Sequence, residues 1–200
     1  MIFRPLAASS VLACALMLPF AANAQEITPQ IDAEAGAPAL GEPYPVATHR
    51  DWEIICTRFE EDGPELCEMY QLMMGEDEAP IAEITIAVLP PEEEFPIGAT
   101  ITTPLGTFLM PGMGWQIGDD GDIRAEPFQV CSAVGCSALL GFSEDEVQAM
   151  RMGAHANVMF RPFVNPQAVA RARVSLMGFT AALEDLQERA PVPLGATMGE

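Results

Sequence analysis

The chain has 200 residues, with 29 acids against nine arginines and no lysine, a formal charge of −20 and an isoelectric point near 4.2. A surface with that average charge does not hold nucleic-acid phosphates by counterion release, and it is repelled by the anionic face of a membrane. Half the residues are apolar, which excludes a disordered acidic tail and suffices for one ordinary core.

Residues 1–24 carry one charge, Arg4, then an apolar run from Leu6 to Phe20, then Ala22-Asn23-Ala24. A positive start, a short apolar stretch and a small-x-small ending predict a secretory signal cleaved after Ala24. The run is shorter than the ~20 residues a membrane span needs, and Pro19 interrupts it, so no span is expected after cleavage. Val11-Leu12-Ala13-Cys14 is a faint lipoprotein box and leaves lipidation of Cys14 as the minor alternative. Cleavage removes Arg4 and no acid, so eight arginines face 29 acids, a net charge of −21. It also leaves four cysteines.

Residues 25–48 have little periodicity and several prolines, and are read as a flexible arm. From Asp51 the chain alternates, with Trp52, Ile54 and Cys56 on one face of a strand. Glu60-Glu61-Asp62-Gly63-Pro64 has turn chemistry, and Leu66-Cys67-Glu68-Met69-Tyr70 returns as a second strand. That hairpin sets Cys56 opposite Cys67 at a separation suited to a disulfide. By the same logic Cys131 turns through residues 132–135 into Cys136. The expected bonds are therefore Cys56–Cys67 and Cys131–Cys136, each contributing roughly 2–3 kcal/mol by loop closure. Spacings of ten and four residues do not suit a zinc ribbon, and neither a Cys-x-x-Cys nor a neighbouring base marks a redox pair.

Next come a turn over 75–80 and a strand over 81–89, with Ile84, Ile86 and Val88 inward and Glu83 and Thr85 outward. Residues 90–96 form an acidic, proline-flanked loop. Short strands are expected over 99–103, 106–110 and 113–118, a turn over 119–122, and a strand over 123–130. Ser143-Glu144-Asp145-Glu146 is a capping box with Phe142 and Val147 at the staple positions, and Gly153 stops that helix. Strands over 156–163 and 172–177 flank Asn165-Pro166, and a last helix over 179–189 carries Leu183 and Leu186 on its apolar stripe before Pro191 and Pro193. Many short strands with few helices indicate an antiparallel sandwich or barrel. The expected core includes Trp52, Ile54, Ile84, Ile86, Val88, Phe128, Phe160, Leu176 and Phe179. The domain bounds are 1–24 for the signal, 25–48 for the arm, 49–189 for the folded domain and 190–200 for a tail.

Several segments share an order and spacing: Asp51-Trp52 with Cys56 and Cys67, Thr103-Pro104-Leu105-Gly106-Thr107-Phe108-Leu109, Gly112-Met113-Gly114-Trp115-Gln116-Ile117, Pro127-Phe128-Gln129-Val130-Cys131 with Gly135-Cys136-Ser137-Ala138, and residues 174–182. Together they resemble the invasion-associated locus B family over residues 50–186. The resemblance implies an exported protein of Gram-negative bacteria with an immunoglobulin-like β-sandwich, and no defining enzymatic activity. Met177 stands where a basic residue is expected, and the acidic loop at residues 92–94 is individual, so no basic adhesive role is carried over. Invasion is attached to the family's name and does not transfer with a fold.

The chemistry-bearing residues are few. His49 and His155 have no serine, cysteine or aspartate beside them in a relay spacing, and no nucleophile elbow, phosphate-cradling loop or His-Glu-x-x-His is present. The chain is read as non-enzymatic, with no cofactor. Asp119, Asp120 and Asp122 around Gly121 are the weak candidates for Ca²⁺, against the plainer reading of a hairpin turn. Of the 12 methionines, Met69, Met73, Met74, Met110 and Met113 alternate in a way that favours core over a binding surface. The expectation is a periplasmic interaction module, the alternative a small-ligand or Ca²⁺-binding one. Residues 51–94 hold 14 acids and one arginine, so a partner docking there is expected to be basic or cationic.

Overall fold

The computed structural model describes residues 38–75 and 78–190, and the signal, Cys14 and residues 191–200 lie outside that range. Every strand pairing in it is antiparallel. One layer has the order β1 (Pro43–His49), β2 (Trp52–Arg58), β3 (Glu65–Met74), β4 (Pro80–Val88), β5 (Ile97–Thr103), β9 (Cys136–Phe142), β8 (Phe128–Cys131). A second layer runs β7 (Arg124–Glu126), β6 (Met113–Ile117), β10 (His155–Phe160), β11 (Ala170–Ser175). The fold is an antiparallel β-sandwich with two helices, α1 (Glu144–Met152) and α2 (Phe179–Arg189).

The layers join at β3. Its first six residues pair with β2, and its last, Met74, pairs with Arg173 of β11, while β4 runs along the opposite edge. Buried Gln71 fastens this corner. Its Nε2 donates to the carbonyls of Asp51 and Ser175, and its Oε1 accepts from the Ser175 amide. Trp52 Nε1 donates to the same Ser175 carbonyl at 2.9 Å. Paired in this way, these polar groups recover in hydrogen bonds what they lose in leaving water.

Alternation makes the core. In β4, Ala82, Ile84 and Ile86 are buried, and Met69, Met73, Ile97, Ala99 and Ile101 are buried on the flanking strands. From the other layer come Met113, Trp115, Val158 and Val174. Trp115 meets Phe142 across the gap at 5.1 Å, and Trp52 meets Phe179 of α2 edge-on at 5.9 Å. Val88 and Phe128, expected in the core, are only partly buried against it, and Met74 and Met110 are exposed.

Both helices begin for identifiable reasons. Ser143 caps α1 in the full reciprocal box with Glu146, and Phe142 and Val147 are both buried. The stop at Gly153 has extended backbone rather than a left-handed turn, and a Cβ there would come within 2.9 Å of Leu176. Before α2, Gly178 has φ of 91°, and a Cβ would lie 2.0 Å from the His49 carbonyl oxygen, so only glycine fits. Phe179, Ala182, Leu183 and Leu186 bury the inner stripe of α2.

Three expectations are corrected. The arm does not extend to residue 48, because β1 begins at Pro43. Proline lacks a ladder donor, which suggests a loop, but β1 pairs only with β2 and an edge strand tolerates it, while Tyr44 and Val46 pack on the core. Residues 106–110 are not a strand. Between Pro104 and Pro111 they make only an isolated bridge, Thr107 to Pro162. Residues 123–130 are not one strand either. Pro127 divides β7, which pairs with β6, from β8, which pairs with β9, so the chain changes layers there. No helix among the described residues is long and apolar enough to cross a membrane.

Candidate interaction face

The outward positions of the first layer form rows across the sheet. One row runs through Ile55 and Glu68, and on through Ala87, Gly98 and Gly141. The next runs Glu53, Tyr70, Thr85, Thr100, Leu139. The small residues of the first row form a trough, and the acidic loop between β4 and β5 fills part of it. The Leu89 amide bonds the Pro96 carbonyl at 3.0 Å and closes the loop. That closure lays Leu89 over Gly98 and Phe95 over Gly141, where a Cβ would stand 3.3 Å and 2.1 Å from those side chains. A shallow hollow of about 330 Å³ remains beside them, walled by Leu139, Leu89 and Phe95 and bordered by Glu68 and Thr85.

This face combines apolar surface with acid. Glu68 is exposed as a residue, yet desolvation pushes its carboxyl above the usual carboxylate range. Tyr70 donates to Glu83 at 3.3 Å, and burial, with Glu83 beside it, pushes its hydroxyl up. Glu92, Glu93 and Glu94 stand exposed on the loop that carries Phe95.

Two disulfides brace the layer. Cys56 and Cys67 are register partners in β2 and β3, and Cys131 and Cys136 are register partners in β8 and β9, each pair with Cα atoms 4.0 Å apart. Glu65 lies within ligand distance of the first pair. Both sulfurs are spent in the bond, so no thiolate remains there to hold a metal. Glu65 instead accepts from Tyr44 Oη and from Arg58, and the Tyr44 hydroxyl foremost holds its carboxyl below the usual range.

The aspartates expected as weak Ca²⁺ ligands, Asp119, Asp120 and Asp122, sit in the turn between β6 and β7, and among the described residues they do not form a ligand cluster. Asp119 is engaged otherwise. His155 Nε2 lies 3.0 Å from its Oδ1, Asn157 donates to the same oxygen at 3.4 Å, and the His155 contact foremost holds the carboxyl below its ordinary range. Gln116 Nε2 donates to the carbonyls of Asp119 and Gly121 and shapes the turn. The other histidine, His49, lies 2.7 Å from Asp185 and ties β1 to α2.

Sequence reasoning located the acids of residues 51–94 but not the trough. The two glycines were visible, yet nothing local says that Leu89 and Phe95 need them, because Gly98 and Gly141 are neighbours in the sheet but 43 residues apart in the chain.

A family model described as Invasion associated locus B (IalB) protein matches residues 52–187. The crystal structure of invasion associated protein B from Bartonella henselae is similar in fold, with a TM-score of 0.59 and 19% identity, covering 71% of this chain and 94% of that one. No curated protein matches the chain.

Proposed function

The chain belongs to the invasion associated locus B family, and on that premise we propose that it is an exported, periplasmic protein that acts by binding rather than by catalysis, with its acidic sheet face receiving a basic partner. The observation that supports this reading is the hollow on the first layer, where Phe95, Leu89 and Leu139 offer apolar contact beside Glu68 and the loop carrying Glu92, Glu93 and Glu94. Such a surface suits a cationic partner with an apolar side chain to seat. The acids steer the encounter and the hollow holds it. Two disulfides suit an oxidising compartment, where they keep the sheet in register.

The test is crosslinking and recovery from envelope fractions, followed by titration of the recovered protein against the wild type and the E92R/E93R/E94R variant. One stoichiometric basic partner is expected, with affinity that falls as salt rises and is roughly tenfold weaker for the variant. Binding indifferent to salt and to the variant overturns the reading. Recovery of a small ligand or a metal with no protein partner replaces it with a ligand-carrying one.

A further inference from the structure

The acids of this chain leave two long gaps. None occurs from Phe95 to Gly118, and none from Val147 to Leu183, although the second stretch carries Arg151, Arg161, Arg171 and Arg173. The fold brings the gaps together. The loop over 104–112 and the loop over 161–169 are joined by hydrogen bonds from the Phe108 amide to the Arg161 carbonyl and from the Phe163 amide to the Gly106 carbonyl, both at 2.7 Å. The Phe108 and Phe163 rings pack at 6.4 Å.

The tips of these joined loops are apolar and bare. Met110 is 86% exposed, Val164 93% and Phe163 66%, with Leu105 and Leu109 also exposed beside them. A soluble surface rarely collects side chains of this kind on adjoining loops without a use. Arginines stand behind them, Arg161 and Arg171 near the foot of the 161–169 loop and Arg173 two residues further along β11. Arg161 sits at the foot of its loop and donates back to the carbonyls of Pro166 and Gln167. Arg171 and Arg173 project outward from β11, in register with Met159 and Asn157. Among the described residues none of the three forms an ion pair, although Arg173 acts on Asp119 at longer range and Glu78 lines the same hollow as Arg171 and Arg173. Glu126 lies beside Leu109 and Met110 but is paired with Arg124 at 2.7 Å.

We propose that these two loops dock on an anionic lipid surface, with Met110, Phe163 and Val164 entering the headgroup–acyl boundary and Arg161, Arg171 and Arg173 meeting the lipid phosphates. The arrangement favours lipid over a protein partner for a geometric reason. Met110 and Val164 are the two most exposed large apolar side chains among the described residues, and Phe163 is two-thirds exposed beside the Phe108 ring. They therefore suit immersion in a fluid layer about 5–10 Å deep better than a shaped pocket, and the cations follow at headgroup level. The exclusion of anionic membranes drawn from net charge holds for the acidic face. At a Debye length of about 8 Å the acidic face is screened from a membrane met by these loops. This site is separate from the acidic face, and neither depends on the other.

The experiment is co-sedimentation of the purified, disulfide-bonded protein with two kinds of vesicle, one of phosphatidylcholine alone and one of phosphatidylcholine and phosphatidylglycerol in equal parts. Partition to the phosphatidylglycerol vesicles is expected, with little to the others. M110E/V164E is expected to weaken it by roughly tenfold per side chain, and R161E/R171E/R173E by roughly fivefold per arginine. E92R/E93R/E94R is expected to leave partition intact or raise it. Near-ultraviolet circular dichroism verifies that each variant is folded. Failure to partition to phosphatidylglycerol vesicles overturns the proposal. So does partition that survives M110E/V164E, which marks adsorption without insertion. If vesicles leave the protein in solution while M110E/V164E abolishes crosslinking to an envelope protein, the loops are a protein interface and the lipid assignment is wrong.

Discussion

The outward faces of the two layers are built from stretches of opposite character. Residues 51–94 supply β2, β3 and β4 and carry 14 acids with one arginine, whereas residues 147–183 supply β10 and β11 and carry no acid at all. The difference teaches how charge along a chain becomes charge on a surface. Antiparallel hairpins keep sequence neighbours in one layer, so a segment's composition is transferred almost whole to one face. A net charge of −20 therefore describes neither face.

The comparison depends on the corner that joins the layers, and breaking it has the largest expected effect. Trp52 is fully buried, packs on Phe179 and donates to Ser175 of β11. Trp52→Ala is expected to cost about 3–5 kcal/mol, read as a lowered denaturant midpoint, with both faces lost together. If acidic-face binding outlasts lipid binding in that variant, the layers are less coupled than the shared core implies.

The disulfides affect the acidic layer directly. Replacing Cys56 and Cys67 by alanine is expected to cost roughly 3 kcal/mol, and replacing Cys131 and Cys136 roughly 2 kcal/mol, because the first closes the longer loop (11 against 5 residues of separation). Thermal melts with and without reductant check the order. Equal losses would mean that loop entropy is not what separates them.

Gly141→Ala sharpens the comparison by disturbing one face alone. Its Cβ displaces the Phe95 ring, at a cost of roughly 1–3 kcal/mol. Partner binding on the acidic face is expected to weaken while vesicle partition stays as it was, and equal loss of both would contradict the independence of the two sites.

The smallest effect is in acid. The Asp185 carboxyl, held down first by His49 and then by Arg189, lies below its unfolded value. Its contribution is therefore complete above the ordinary carboxylate range and lost as the pH falls through the lowered value. Exposure limits that contribution to about 1 kcal/mol at most. Asp185→Asn is expected to flatten the acid limb of a stability–pH profile by that amount. Glu68 has the opposite sign. Raised by burial, its ionisation opposes folding as the pH rises through the carboxylate range, so Glu68→Gln is expected to raise the melting temperature slightly at neutral pH. A fall there would mean that Glu68 has a stabilising partner.

Much of this was legible in residues 51–70 and 143–189. Alternation around Trp52, Ile54 and Cys56, a turn at Gly63-Pro64 and a second strand bring Cys56 opposite Cys67 without knowledge of the rest of the chain. The capping box at Ser143 and the Leu183–Leu186 stripe likewise locate both helices, because caps and stripes are satisfied within a few residues. Three features were not legible. The prolines of β1 hide an edge strand, Pro127 hides a change of layer, and the glycines beneath Leu89 and Phe95 look like ordinary breaks.

Alone, the sequence determined most of the elements, the cysteine neighbours and the uneven spread of charge, all of which rest on turn chemistry, capping and alternation acting over about ten residues. Only the tertiary structure decided which layer each strand entered. Strand partners are selected by burying faces that lie far apart in the chain, through pairings such as Arg173 with Met74 and Gly98 with Gly141. Those choices set the acidic hollow on one layer, and joined two acid-free loops into an apolar tip backed by arginine on the other.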